Sequence, residues 1–157
     1  MKVKEVLKVK GGRLFTATPD MLLSDAVVTM AEQDIGSLVV LQQGKLVGML
    51  TFREVLTVMA RRQKERRVGP TPPIAEIKVA EALQSDPVTT DVDMEIDELR
   101  RIMLEHHARY VPGMDGDTML GVISFHDVAR AVLEEKTFEN RMLKAYIKDW
   151  PAEEATK

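Results

Sequence analysis

The sequence contains no cysteine. Disulfides, thiolate metal sites and a cysteine nucleophile are therefore excluded, and the composition suits a reducing compartment, which we expect to be the cytoplasm. Aromatic residues make up only 4% of the chain whereas methionine occurs 10 times, so we expect an aliphatic core rich in thioethers. No apolar run approaches ~20 residues and the chain starts without a long apolar segment, so the sequence predicts neither a membrane-spanning helix nor a signal peptide.

A strong positive charge is also missing, because the net charge is -3 at pH 7. The chain therefore has no overall field that would attract nucleic acid. A basic run at 61–67 ends a predicted helix, where cations are ordinary, and a polyphosphate or a protein partner is the alternative interpretation. We predict no metal site, because the adjacent His106 and His107 point about 100° apart on a helix and rarely share one ion.

An internal repeat is the main feature that the sequence does contain. Residues 48–55 (GMLTFREV) reappear as residues 121–128 (GVISFHDV), a shift of 73 residues. At the same shift Met30 corresponds to Met103, and apolar positions match without a gap from residue 19 to residue 60. A fixed period with a matching apolar pattern indicates one supersecondary unit that is used twice.

Each copy has the same predicted order of elements. A helix follows Ser24 or Asp97, which suit N-cap positions, and a hairpin of two strands comes next. A second helix then begins near Thr51 or Ser124. The predicted strands are 37–41 with 46–50 and 110–114 with 119–123. The predicted organisation is repeat one over 1–68, a proline-rich linker over 69–76, repeat two over 77–136, and a C-terminal helix with a frayed tail over 137–157.

The motif strand–Gly-h-h-Thr/Ser-x-x-Asp–helix, present twice, resembles the CBS domain (cystathionine β-synthase type) in tandem. This arrangement is the Bateman module of bacterial stand-alone signal-transduction proteins. The second copy is the more similar, because Arg109–Pro112 resembles the family's Arg-x-Leu-Pro-Val segment and Ser124–Asp127 its Ser-x-x-Asp. The resemblance implies an α/β (α+β) fold of two βαββα repeats related by a pseudo-two-fold axis. Small, mostly antiparallel sheets would be flanked by helices, with adenosine ligands in the clefts between the repeats and often a homodimer.

The two Ser/Thr-x-x-acid turns have two interpretations. Thr51 with Glu54, and Ser124 with Asp127, fit a capping box, which needs no ligand. The same geometry presents free N–H groups to a phosphate, and the carboxylate one turn later can accept both hydroxyls of a ribose. Because Glu54 is longer than Asp by one C–C bond, ~1.5 Å, we expect its site to be weaker or to bind a different ligand.

Further site residues follow from the resemblance and from charge. The family's adenine-edge strand corresponds to 16–18 and 88–90, where a plain β-bridge is the alternative. Arg109 could bind phosphate bidentately or be a surface arginine, and Arg53 and His126 lie in the first turn of their helices beside the predicted phosphate. The complete predicted ligand-binding set is Thr16, Ala17, Thr18, Ser37, Leu38, Val39, Thr51, Arg53, Glu54, Val88, Thr89, Thr90, Arg109, Tyr110, Val111, Pro112, Ser124, His126 and Asp127.

The sequence therefore predicts a sensor of adenine nucleotides that acts on an unknown effector protein. AMP is the favoured ligand, with ATP, ADP and NAD as alternatives. We expect no enzymatic activity, because no P-loop, Rossmann fingerprint or nucleophile–base pair is present. The alternative is a ligand-free dimerisation module whose turns are only helix caps. A homodimer is expected through apolar helix faces unless the tail helix covers them; these faces comprise Val55, Leu56, Val58, Met59, Val128, Val132 and Leu133.

Overall fold

The computed structural model describes residues 1–11, 14–66 and 73–148. Both repeats form the predicted elements, and the bounds of the predicted strands are reproduced to within two residues. The predicted linker residues 69–72 and tail residues 149–157 lie outside the described residues. The elements are α1 (Val3–Lys10), β1 (Thr16–Ala17), α2 (Leu23–Glu32), β2 (Ser37–Gln42), β3 (Lys45–Thr51), α3 (Phe52–Arg66), a 3₁₀ turn (Ile74–Glu76), α4 (Val79–Ala82), β4 (Thr90–Asp91), α5 (Ile96–His106), β5 (Tyr110–Asp115), β6 (Thr118–Ser124) and α6 (Phe125–Lys148).

Each repeat has one three-stranded sheet, in the order β1-β2-β3 or β4-β5-β6. The last two strands are an antiparallel hairpin, and the first strand pairs in parallel with the second. In this register Ser37 lies opposite Thr51, and Tyr110 lies opposite Ser124. The beginning of each hairpin therefore lies next to the helix that follows it. The mixed α/β fold with small sheets flanked by helices is confirmed, with one parallel pair in each sheet.

The first helix of each hairpin unit begins one residue earlier than its predicted cap. Ser24 and Asp97 are not N-caps, because α2 and α5 have Leu22 and Glu95 at that position, without a side-chain cap. A backbone contact from a distant segment takes the place of a side-chain cap. The Leu23 N–H donates to the Ile77 carbonyl at 2.8 Å, and the Ile96 N–H donates to the Met1 carbonyl at 3.0 Å. This long-range pairing could not be predicted from local sequence.

The two repeats exchange their first helical segments. Helix α1 belongs to repeat one in the sequence, yet Val3 and Val6 are buried with Ile96, Leu99 and Ile123 of repeat two. In the same way, α4 and Ile77 from the second copy pack into the core of the first, which contains Leu23, Ala26, Leu38 and Leu50. Each core therefore contains residues from both sequence repeats, so neither copy has a complete core of its own.

Glycines at the start of the repeated motif permit this exchange. A Cβ at Gly121 would lie 3.2 Å from Leu7 Cδ2 of α1, and a Cβ at Gly48 would lie 2.6 Å from Leu83 Cδ1, just after α4. Both distances are tighter than ordinary van der Waals contact. The glycine of each Gly-h-h-Thr/Ser-x-x-acid motif therefore leaves space for the segment that arrives from the other repeat.

Helix α6 is a single continuous helix of 24 residues. Its first half buries Val128, Ala131 and Val132 in the second core. Its second half is exposed throughout, including Phe138 and Met142. Of the apolar helix faces that the sequence identified, Val58, Val128 and Val132 are buried in the cores, whereas Leu56, Met59 and Leu133 remain exposed. None of the helices in the described part of the chain combines the length and the apolar character that crossing a membrane requires.

Candidate ligand-binding clefts

Two clefts lie between the repeats, and each is lined by both of them. Cleft A has a volume of about 620 Å³ and lies between the start of α3 and the start of β5. It is lined by Thr51, Phe52, Arg53, Glu54, Leu56, Gln84, Val88, Met103, Leu104, His106, His107, Ala108, Arg109, Tyr110 and Phe125.

Cleft B is smaller, with a volume of about 330 Å³. It lies between the end of α1, the start of β2 and the middle of β6. Tyr110 lines both clefts and therefore connects them. The lining of cleft B comprises Leu7, Lys10, Gly11, Leu14, Phe15, Ile35, Gly36, Ser37, Val39, Tyr110, Leu120, Gly121 and Val122.

In cleft A the turn that opens α3 is a well-formed helix cap. The backbone N–H of Thr51 donates to Glu54 Oε2 at 2.8 Å, the Thr51 hydroxyl donates to the same oxygen, and the Arg53 N–H donates to Thr51 Oγ1 at 3.2 Å. Arg53 and Arg109 line the same cleft and are exposed. A half-buried carboxylate, a helix N-terminus and two guanidinium groups are thus placed around one cavity. This arrangement suits a polar ligand with both hydroxyl groups and negative charge.

The equivalent turn beside cleft B carries an additional cation. The Ser124 N–H donates to Asp127 Oδ2 at 2.9 Å, and the Asp127 N–H donates to Ser124 Oγ at 3.1 Å, which completes the predicted capping box. Lys10 of α1 then donates to the same Oδ2 at 2.8 Å. Burial acts to raise the pKa of the Asp127 carboxyl, but the hydrogen bonds from Lys10 and Ser124 outweigh it and the pKa lies below its ordinary value.

Ten residues of the predicted set lie at or next to the clefts. Thr51, Arg53, Glu54, Val88, Arg109 and Tyr110 line cleft A, while Ser37, Val39 and again Tyr110 line cleft B. Two more, Ser124 and Asp127, connect to cleft B through Lys10. Each cleft therefore needs both repeats, because it combines the acidic turn of one repeat with the start of β2 or β5 from the other.

The other predicted residues lie elsewhere. Ala17, Leu38 and Val111 are buried in the cores because their strand positions face inward, and Pro112 is buried as well. The Thr90 hydroxyl is also buried, where it contacts Asp91 O and Met94 Sδ. Three threonines are exposed outside both clefts: Thr16, Thr18 and Thr89. His126 faces a shallow groove along α6 and contacts Arg130 at 3.0 Å.

Sequence reasoning missed Lys10 and most of the apolar lining. Lys10 reaches Asp127 only because α1 packs on the second repeat, a contact that no local pattern reveals. Phe15 and Gly36 had a usable signal, since each comes directly before a predicted site residue. His106 and His107 both line cleft A, and the described residues contain no group of three or more acidic or histidine side chains that could hold a metal ion.

The chain matches the CBS domain family twice, over residues 3–61 and 79–134. A curated relative, the mitochondrial CBS domain-containing protein CBSX3 of Arabidopsis thaliana, is 30% identical over 155 residues, which covers 92% of this chain and 71% of that protein. The CBS domain-containing protein YhcV of Bacillus subtilis is 27% identical over 114 residues, covering 73% of this chain and 75% of that protein.

Solved structures have the same fold. The CBS-domain protein ATU1752 from Agrobacterium tumefaciens superposes with a TM-score of 0.73 at 26% identity, covering 83% of this chain and 98% of that one. CBSX2, whose structure contains AMP, superposes with a TM-score of 0.69 at 21% identity, covering 86% of this chain and 98% of that one. Both comparisons cover more than four fifths of this chain.

Proposed function

The chain belongs to the CBS-domain family, and on that premise we propose that it is a non-catalytic regulatory module that binds an adenine nucleotide between its repeats. One observation carries the proposal: cleft A brings Glu54, Arg53 and Arg109 together around a cavity of about 620 Å³. A nucleotide site needs a carboxylate that accepts hydrogen bonds from the ribose hydroxyls and cationic groups that bind the phosphate. Apolar residues of the same cleft, including Val88 and Met103, offer a slot for the base.

AMP is the ligand that we favour. The structural relative CBSX2 was solved with AMP, which supports an adenine nucleotide for this chain. A cavity of about 620 Å³ lies within the usual size range of small-molecule sites. ADP, ATP and NAD are the alternatives, and they differ from AMP in the charge and bulk that Arg53 and Arg109 would contact.

We further propose that cleft A is the primary site. The sequence favoured Asp127 over Glu54 because aspartate is the family's usual residue. Two contacts favour the opposite order: the Asp127 carboxylate is already paired with Lys10, whereas the Glu54 carboxylate is held by Thr51. Among the described residues no cation is paired with Glu54, so a ribose that binds there displaces no such ion pair.

A ligand-free interaction module is the second candidate, and one observation favours it. Both acidic turns form hydrogen-bonded helix caps from their own side-chain and backbone groups. The caps alone would explain why an acidic residue occupies position 54 and position 127.

A titration separates the two candidates. Isothermal calorimetry with AMP, ATP and NAD is run on the whole chain and on Arg109→Ala, with Arg100→Ala, an exposed arginine on α5, as the matched control. We expect AMP binding that Arg109→Ala weakens by about tenfold or more and that Arg100→Ala leaves unchanged. Absence of binding by all three nucleotides at millimolar concentration would reject the nucleotide sensor and favour the interaction module.

We also propose that the protein is a cytoplasmic homodimer that transmits ligand binding to an effector protein. Large apolar side chains remain exposed on α3 and α6, including Met59 at 55% and Leu133 at 65%. A two-fold dimer is the simplest symmetric way to bury such faces. The absence of cysteine supports a reducing compartment.

A further inference from the structure

Lys10 makes the two clefts chemically different. It is the last residue of α1, and its Nζ lies 2.8 Å from Asp127 Oδ2 and 3.0 Å from the Val122 carbonyl oxygen. Since Oδ2 also accepts the Ser124 N–H, this carboxylate oxygen already has two donors. In cleft A the donors to the Glu54 carboxylate are the backbone N–H and the hydroxyl of Thr51. The acidic residue of cleft B is therefore neutralised by a lysine from the exchanged helix.

The surroundings of Lys10 determine which charge a ligand of cleft B must carry. Leu7, Leu14, Phe15 and Val122 line the cleft into which its ammonium group extends. The Asp127 side chain is only 13% exposed, so the ion pair is shielded on the carboxylate side. The Lys10 side chain is 41% exposed, so water partly screens its ammonium group, but separating the pair still costs free energy because the carboxylate is shielded. A ribose that takes Oδ2 would leave the Lys10 ammonium without this partner.

Building on the proposed function, we propose that Lys10 makes cleft B selective for adenosine ligands that carry a phosphate. The ribose hydroxyls donate hydrogen bonds to the Asp127 carboxylate, and the Lys10 ammonium forms an ion pair with the phosphate. Lys10 therefore exchanges one anionic partner for another. Adenosine itself separates the pair and offers no anion in exchange. Cleft B therefore discriminates AMP from adenosine more strongly than the same cleft does without Lys10.

Methyl NMR on the full chain can follow each cleft separately. Ile35 lines cleft B and Met103 lines cleft A, so their methyl signals report the two sites. AMP and adenosine are titrated into the wild type, Lys10→Met and Lys10→Arg. Lys8→Met, an exposed lysine on the same helix, is the matched control.

The expected result is a change in selectivity that is confined to Ile35. In the wild type, AMP should bind cleft B more tightly than adenosine by about tenfold or more. Lys10→Met should weaken AMP and strengthen adenosine until the two differ by less than about threefold. Lys10→Arg should retain the preference, because it keeps the charge. Lys8→Met should behave as the wild type, and none of these changes should alter the affinities reported by Met103.

Three outcomes overturn the inference and are distinguishable from one another. An unchanged AMP-to-adenosine ratio at Ile35 in Lys10→Met means that the ribose leaves the ion pair intact, for example by using Asp127 Oδ1. A response at Met103 with no response at Ile35 in any variant means that cleft B takes no adenosine ligand, while the proposed function still holds for cleft A. No response at either methyl rejects the proposed function together with the inference.

Discussion

Tyr110 of the second repeat packs against Gly36 of the first, and its hydroxyl group occupies the space in which a Cβ at position 36 would lie. Phe52 Cε2 would also be only 3.0 Å from that Cβ. Tyr110 is the one side chain among the described residues that lines both clefts, so this contact bears on both of them. Gly36 is therefore required for close approach of the two repeats.

Gly36→Ala should destabilise the protein by about 1–3 kcal/mol, because the added methyl group forces Tyr110 out of its position. Binding at both clefts should weaken as well. Urea unfolding measures the first effect, and the cost should be much smaller in a Tyr110→Ala background, where the obstructing ring is absent. An equal cost in both backgrounds would show that the overlap is relieved without moving Tyr110.

The ion pair between Lys10 and Asp127 predicts a pH dependence of stability. Since the pKa of Asp127 is lowered in the folded protein, the pair stabilises the fold above the ordinary carboxyl pKa of about 4. This contribution is lost as the pH falls through the lower, folded-state pKa. Asp127→Asn should therefore lower the free energy of unfolding by about 1 kcal/mol at pH 6 and by clearly less near pH 3.

Asn at position 127 keeps the bond from the Ser124 N–H, so the comparison isolates the charge from the cap. Urea titrations of both proteins at a series of pH values measure the difference. A difference that stays constant with pH would mean that the ion pair with Lys10 contributes nothing to stability.

Exchange of α1 predicts an effect in the repeat to which α1 does not belong by sequence. Val3 is fully buried in the second core, so Val3→Ala should cost about 1.5–3 kcal/mol. Val9 on the same helix is 87% exposed, and Val9→Ala should change stability by less than about 0.5 kcal/mol. Native-state hydrogen exchange should then show faster exchange for β6 of the second sheet than for β3 of the first. Equal acceleration in both sheets would mean that the two cores open together.

The proposed dimer is best tested at exposed positions. Val132 belongs to the apolar faces that the sequence identified, but it is 9% exposed and packs in the second core, so a charge there would disrupt folding. Met59→Glu and Leu133→Glu should instead convert the dimer to a monomer of 17.7 kDa without loss of stability. Lys64→Ser, an exposed polar change on α3, is the control. Light scattering that gives the monomer mass for the wild type at micromolar concentration would reject the dimer.

The sequence by itself determined the repeat, the order of helix, hairpin and helix in each copy, and the two acidic turns. These features depend on local rules. One is apolar periodicity over a helix or a hairpin, and the other is the capping of α3 and α6 by pairs of residues three positions apart. The sequence also identified the first residues of β2 and β5 as cleft residues, since Ser37 and Tyr110 are equivalent positions of the repeat. Such information is contained within one copy of about 70 residues and needs no knowledge of the other.

Only the tertiary structure decided that, among the described residues, Asp127 is paired with a lysine whereas Glu54 is held by Thr51. Lys10 and Asp127 are separated by 117 positions along the chain, and they meet because α1 packs on the sheet of the other repeat. The same exchange determines where α2 and α5 begin, through carbonyl groups of Ile77 and Met1 rather than through side-chain caps. Periodicity predicts which face of a helix is apolar, but the apolar faces of α1 and α4 could pack on either of two similar sheets. Gly48 and Gly121 leave space on both sheets, so the choice between those two arrangements depends on how each whole segment packs against its sheet, which only the tertiary structure contains.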